Sequence, residues 1–194
     1  MAAGKNAAAA LLEKKGFACV DFDSLVHTAI TDCTPRILET FTPIAAAQRI
    51  TLQNPDGTLN RRALGAVIFK DEALVARQES IVYPKVIELA YAFMESHKAQ
   101  NIGFNATVLF KIPELMKKCS AIIFVTSPLI KRLLRAKKRD ALPLKNILAR
   151  FNTQKTLLED YKKTGIPISK VNNSSTLKNL EKQLEKAFFL LKIS

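Results

Sequence analysis

The first 23 residues constrain the fold more than any other stretch. Gly4 and Lys5 lead into Asn6 to Lys15, a run of good helix formers, and Gly16 stands where a helix C-terminal stop belongs. Phe17-Ala-Cys-Val-Asp-Phe-Asp23 follows, a short apolar run ending in two carboxylates. That pattern suits a buried strand whose carboxyl end carries Asp21 and Asp23.

The remaining chain repeats and interrupts this unit. Ser24 to Lys98 is mainly helical in pattern, with periodic runs over Ser24 to Ile30, Pro35 to Phe41, Arg61 to Phe69 and Asp71 to His97. Pro84 predicts a bend in the last of these, and Asn54-Pro-Asp-Gly57 is a turn. Ile102 to Phe110 and Ala121 to Thr126 are short apolar runs, each followed by a proline and a helical pattern. Ile166 to Val171 gives a last short strand, and Leu177 to Leu191 a last amphipathic helix. Strands alternating with helices predict a parallel sheet with crossover helices, interrupted by a helical insertion over residues 24–98.

Composition narrows the function classes. Hydrophobic residues make up 48% and charged residues 24% of 194, enough apolar side chain for a folded core. Lys and Arg number 30 against 17 Asp and Glu, a net charge of +13 that favours polyanionic partners: nucleic acid, anionic lipid or phosphorylated small molecules. Cys19, Cys33 and Cys119 are dispersed and odd in number, which argues against a disulfide framework or a zinc knuckle and for buried free thiols in a reducing compartment. His27 and His97 have no second ligand at metal-binding spacing, so both are read as structural. Lysines and Glu13 interrupt the alanine-rich start too early for a signal peptide, and no apolar run reaches membrane-spanning length. The expectation is a cytoplasmic protein without a membrane partner.

Three features carry candidate chemistry. A phosphate-binding Walker A loop needs glycines that let backbone N–H groups cradle phosphate, a lysine for the terminal phosphates and a hydroxyl for magnesium, all at a helix N-terminus. Met1-Ala-Ala-Gly4-Lys5-Asn6 supplies only the end of that pattern. Asp21 and Asp23 are either solvated strand-end carboxylates or, beside such a loop, catalytic groups. Lys131-Arg-Leu-Leu-Arg135-Ala-Lys-Lys-Arg139 holds six cations in nine residues. It reads as an ordinary solvated helix, as a lid closing over phosphates, or as a nucleic-acid footprint short of interleaved aromatics.

In order, these parts resemble the dephospho-CoA kinase family. Gly4-Lys5-Asn6 through Asp21-Phe22-Asp23 is similar to its Gly-Lys-Ser/Thr, helix, Gly, strand and Asp-x-Asp stretch without a gap. Asp56-Gly57-Thr-Leu-Asn-Arg61, Leu64, Phe69 and Glu79-Ser-Ile81-Val-Tyr-Pro84 resemble segments of its helical substrate-binding region. Val108-Leu109-Phe110 resembles part of its Pro-Leu-Leu-Phe-Glu segment. Arg135-Ala-Lys-Lys-Arg139-Asp140, Arg150-Phe-Asn-Thr-Gln154 and Asn173-Ser174-Ser-Thr-Leu177 resemble its lid and C-terminal motifs.

The resemblance implies a P-loop NTPase three-layer α/β fold in one domain, with residues 24–98 as a helical CoA-binding insertion and residues 131–155 as the lid region. It implies phosphoryl transfer from ATP to the ribose 3′-hydroxyl of dephospho-CoA, the last step of coenzyme A biosynthesis, with magnesium (Mg2+). Carried over, Gly4, Lys5 and Asn6 take the ATP phosphates, Asp23 is the base, and Asn6 and Asp21 hold the metal. Lys5 and Arg139 act on the reacting phosphate, Arg135 and Arg139 close over it, and Asn173 lies near the adenine. Asp21, Asp23, His27, Arg61 and Tyr83 face the substrate.

Departures carry a second reading. Asn6 replaces the metal-binding Ser or Thr, His27 an Arg, Tyr83 a His, Thr107 a Pro and Lys111 a Glu. They motivate a nucleotide-binding protein of the same fold with impaired catalysis; a nucleic-acid-binding module ranks below both. The strand that feeds the loop is absent, and in this fold it is interior to the sheet, so the natural protein is expected to start upstream of Met1.

Overall fold

The computed structural model describes residues 1–140 and 144–193. Residues 141–143 of the expected lid lie outside the described residues. Two compact units are present: Met1–Asp21 with Ala99–Ser194, and Phe22–Lys98 inserted between them in sequence.

The first unit opens on α1 (Lys5–Glu13), which Gly16 ends with a φ of 87°. β1 (Ala18–Asp21) pairs in parallel with β2 (Ile102–Asn105), in a register that sets Asp21 opposite Asn105. β3 (Ile122–Thr126) pairs in parallel with β4 (Ile168–Asn172), ending with Thr126 opposite Asn172. Among the described residues no ladder joins β2 to β3, so the sheet is in two halves. Every residue of β2 and β3 is half-buried, whereas interior strands of a covered parallel sheet are buried throughout.

Short α6 (Pro113–Met116) follows β2. Helices α7 (Leu129–Asp140) and α8 (Leu144–Asn152) follow β3, and α9 (Leu157–Lys162) precedes β4. The unit closes with α10 (Leu177–Leu191), whose first turn is capped by Thr176 accepting from the Asn179 N–H. Ala8 and Leu11 of α1 meet Val171 of β4 and Leu180, Leu184 and Ala187 of α10, with Ile123 and Val125 of β3 packed alongside. Burial of each such leucine stabilises by about 1.5–3 kcal/mol, which fixes α1 across both halves of the sheet.

The second unit holds α2 (Phe22–Asp32), α3 (Thr34–Ala47), α4 (Arg61–Ile68) and α5 (Glu72–Ser96). Ile37, Phe41 and Ala45 on α3, and Val82, Val86 and Ala90 on α5, recur every fourth residue and are almost fully buried. Asn60 and Asp71 cap α4 and α5 by accepting from the N–H groups of Ala63 and Ala73. Helix α5 runs through Pro84 without ending. The Asn54 carbonyl accepts from Gly57, whose φ of 82° only glycine adopts without strain, and this closes the expected turn.

Three strand boundaries differ from expectation. β1 ends at Asp21 and α2 starts at Phe22, so Asp23 sits in the first turn of a helix instead of on a strand, because Phe22 is buried on the face of α2. The run Ile102 to Phe110 is a strand only to Asn105; Leu109–Lys111 forms a 3-10 turn. There the Leu109 N–H is donated to the Tyr161 hydroxyl at 3.0 Å, and Phe110 packs edge-on to the Tyr161 ring. The last strand starts at Ile168, after Pro167 has accepted from the Ile122 N–H. None of the described helices is long and apolar enough to cross a membrane.

Candidate active site

In the first unit the carboxyl ends of the two parallel pairs, β1–β2 and β3–β4, approach the N-terminus of α1 through Lys5 with Asn105 and Ala3 with Asn173, as ligand sites of α/β folds do. Gly4 is the N-cap of α1, with φ 101° and ψ 32°, and no side chain caps the helix. Its first N–H groups and the positive end of its dipole therefore face an anion-binding position. A Cβ on Gly4 would stand 1.9 Å from Asn173 Nδ2, so the loop lies directly against that side chain. Asn173 is buried, and its amide donates to the Ala3 carbonyl at 3.0 Å.

Lys5 reaches from the first turn of α1 to Asn105, donating to Oδ1 at 3.2 Å. Asn105 Nδ2 in turn donates to Asn6 Oδ1 at 3.1 Å. Since Asn105 is the register partner of Asp21, one residue ties Lys5 and Asn6 to the strand-end carboxylate. No cluster of three or more His, Cys, Asp or Glu among the described residues is placed to hold a metal. Asp21 and Asn6 offer instead one carboxylate at the end of β1 and one amide oxygen in the first turn of α1. That donor set fits magnesium, which completes its shell from phosphate oxygens and water.

The basic helix α7 turns one face to the loops. Arg135 donates to Ser127 Oγ at 3.2 Å and to the Asn173 carbonyl at 3.0 Å, and the Ser127 hydroxyl donates to that same carbonyl at 2.9 Å. Lys131 donates to the Ser174 carbonyl, and Arg132 donates to the Met1 carbonyl at 3.0 Å while lying 4.5 Å from the Phe151 ring centre. Met1 and Ala2 pack on the α7–α8 cluster of Ala136, Ile147 and Phe151, and the Met1 amine donates to Gln154. Burial first, then the positive charges of Arg132, Lys5 and Arg139, pulls that amine down to about 6. Arg139 lies one turn beyond Arg135 on α7, so these cations raise a positive potential over the loop.

The second unit carries the other predicted substrate residues. Asp23 and His27 are exposed on α2. Arg61, at the start of α4, donates through Nη2 to the His27 carbonyl at 3.2 Å and to Thr31 Oγ1 at 3.1 Å, which brings His27 and Arg61 together. Tyr83 is half-buried on α5; burial, then its hydrogen bond to Glu79, raises its phenol well above the usual range.

Sequence reasoning passed over Asn105 and Ser127. Both are small polar residues at or just past a strand's carboxyl end, the position that made Asp21 conspicuous, but neither belongs to a charged motif.

The chain matches the family model described as dephospho-CoA kinase over residues 1–179. It is 37% identical over 163 residues to a dephospho-CoA kinase of Treponema denticola, covering 81% of this chain and 72% of that protein. It is 33% identical over 156 residues to the enzyme of that name from Treponema pallidum, with 79% and 74% covered. Among solved structures, a Thermus thermophilus protein superposes with a TM-score of 0.80 at 24% identity over 100% of this chain and 94% of that one. A dephospho-CoA kinase from Campylobacter jejuni gives 0.60 at 18% identity, with 98% and 93% covered.

Proposed function

The chain belongs to the dephospho-CoA kinase family, and on that premise we propose that it transfers the terminal phosphate of ATP to the ribose 3′-hydroxyl of dephospho-CoA. The observation that carries this reading is the Lys5–Asn105–Asn6 cluster beside Asp21, at the uncapped start of α1. Lys5 now bonds a neutral amide oxygen. A phosphate oxygen makes the stronger, charge-assisted bond and displaces it.

In this reading the Asp23 carboxylate accepts the proton of the ribose hydroxyl. The freed oxygen attacks the terminal phosphorus, the bridging P–O bond breaks, and ADP leaves. Lys5, the α1 N–H groups, Arg135 and Arg139 hold the spreading negative charge, the main task in transferring a phosphoryl group through a loose transition state. Asp21 and Asn6 would hold magnesium, which would supply positive charge against the ATP phosphates. Asn173, whose carbonyl Arg135 grips, places the adenine. Residues 24–98 hold dephospho-CoA, with His27, Arg61 and Tyr83 toward it.

Dephospho-CoA-dependent release of ADP tests the assignment. Removing a general base costs about 10²–10⁴-fold, so Asp23→Ala should fall by that factor and Lys5→Ala should lose ATP affinity. ADP release that ignores both dephospho-CoA and Asp23 refutes it. A second reading, a nucleotide-binding protein with impaired catalysis, rests on Asn6, which brings an amide already bonded to Asn105 where the family has a hydroxyl. Asn6→Ser distinguishes the two: a large gain in turnover supports impairment, and an unchanged rate removes it.

A further inference from the structure

Helix α7 has a second face that the proposed reaction leaves unused. Ala136 is fully buried in the cluster with Ile147 and Phe151, and Arg132 and Arg135 are tied to Met1, Ser127 and Asn173, so this side of the helix is the one held against the unit. On its opposite side Ile130 is 72% exposed and Leu134, one turn on, is 64% exposed. At 100° per residue, Lys137 and Lys138 fall on either side of this pair, and both are exposed. Leu144 and Leu148, again one turn apart and exposed, alternate with exposed Lys145 on α8.

Two apolar side chains held outward between lysines are costly to leave in water. From residue 128 to residue 158 the chain has nine cations and one carboxylate, most of the protein's net +13. A second copy of this chain would bring the same charge and be repelled. A nucleic acid would meet the lysines but has no use for Ile130 and Leu134, and the aromatic ring of this stretch, Phe151, is buried under Arg132 and not open to stack a base. An anionic bilayer surface takes both: phosphate headgroups meet the lysines while the branched side chains enter the headgroup–acyl boundary.

We propose that the outward face of α7, Ile130 and Leu134 between Lys137 and Lys138, docks the protein on anionic lipid bilayers. This is attachment to a surface, distinct from the crossing that no described helix permits. Independence from the catalytic reading follows from the residues, since none of Ile130, Leu134, Lys137 and Lys138 is itself a proposed phosphate ligand.

The protein contains no tryptophan, so Leu134→Trp gives a single reporter on this face. Vesicles of phosphatidylcholine with phosphatidylglycerol should shift its fluorescence to the blue and let brominated acyl chains quench it, and phosphatidylcholine alone should do neither. Phe69→Trp, a still more exposed apolar position at 77%, should stay unshifted in both. In vesicle flotation Lys137→Glu with Lys138→Glu should weaken binding at least tenfold, from loss of two near-surface positive charges and gain of two negative ones. Ile130→Ser with Leu134→Ser should weaken it by a similar factor with the melting temperature unchanged. Equal binding to neutral vesicles overturns the proposal. So does an Ile130→Ser, Leu134→Ser variant that floats like the parent, which leaves charge alone, or a blue shift that tracks dimer formation or added RNA without lipid.

Discussion

Replacing Gly4 by alanine probes the loop where it meets Asn173. At φ 101° an L-residue is strained, which costs about 1–2 kcal/mol. The new Cβ also falls 1.9 Å from Asn173 Nδ2 and 3.1 Å from Cγ, whereas unstrained contact needs about 3.5 Å. Asn173 is only 7% exposed, so its amide cannot swing aside without giving up the bond to the Ala3 carbonyl, worth about 1 kcal/mol. Together these predict a loss of about 2–3 kcal/mol, or roughly 4–12 °C in melting temperature for a chain of this size. The assay is urea unfolding followed by circular dichroism on four proteins: parent, Gly4→Ala, Asn173→Ala and the double variant. Removing the Asn173 amide relieves the clash but not the backbone strain, so the double variant should be more stable than the sum of the singles predicts by about 1 kcal/mol. ATP affinity should show coupling of the same sign. A Gly4→Ala protein within about 0.5 kcal/mol of the parent, or strict additivity, refutes the placement of the loop against Asn173.

Other parts of the fold give independent tests. Arg49 occupies the left-handed position after α3 (φ 55°), where the Ile50 N–H bonds the Ala45 carbonyl and the Arg49 N–H the Ala46 carbonyl; Arg49→Gly should stabilise by about 1 kcal/mol in thermal unfolding. Tyr161→Phe keeps the ring contacts with Phe110 and Phe124 but orphans the Leu109 N–H, and should cost about 1–3 kcal/mol in urea unfolding. Burial, then Glu13, pushes the Cys19 thiol up to about 11 from 9.0, and burial pushes the Tyr161 phenol up to about 12 from 10.0. Both groups ionise first in the unfolded chain, so their stabilisation is complete below pH 9.0 and is lost as pH rises toward 12. Cys19→Ala should flatten the early part of that decline in a pH series of unfolding curves, and Tyr161→Phe the later part.

What the sequence discloses depends on how local the cause is. Helix α10 is legible over its full length because its apolar positions recur with helical period and Thr176 caps it. Gly4, Lys5 and the carboxylate at Asp21 stand out in the sequence as candidates because a proposed phosphate site needs those residue types in that order. The boundary between β1 and α2 is not, since Phe22 suits a strand's inner face as well as a helix's, and only burial decides. The 3-10 turn at Leu109 depends on Tyr161, 52 residues away. Asn105 takes its place from a strand pairing, and Arg135 its grip on the Asn173 carbonyl from the approach of α7 to β4; neither leaves a spacing to find. The exposed pair on α7 lies hidden in the sequence, where Leu133 and Leu134 look alike until the buried side of the helix is known.

The central claim is the reaction itself, and its most direct test is mass spectrometry of dephospho-CoA incubated with the protein, ATP and magnesium. The account predicts coenzyme A, phosphorylated on the ribose 3′-oxygen and formed mole for mole with ADP, at a rate that Asp23→Ala lowers about 10²-fold or more. ATP bound without any phosphorylated product, or product unaffected by loss of Asp23, contradicts it.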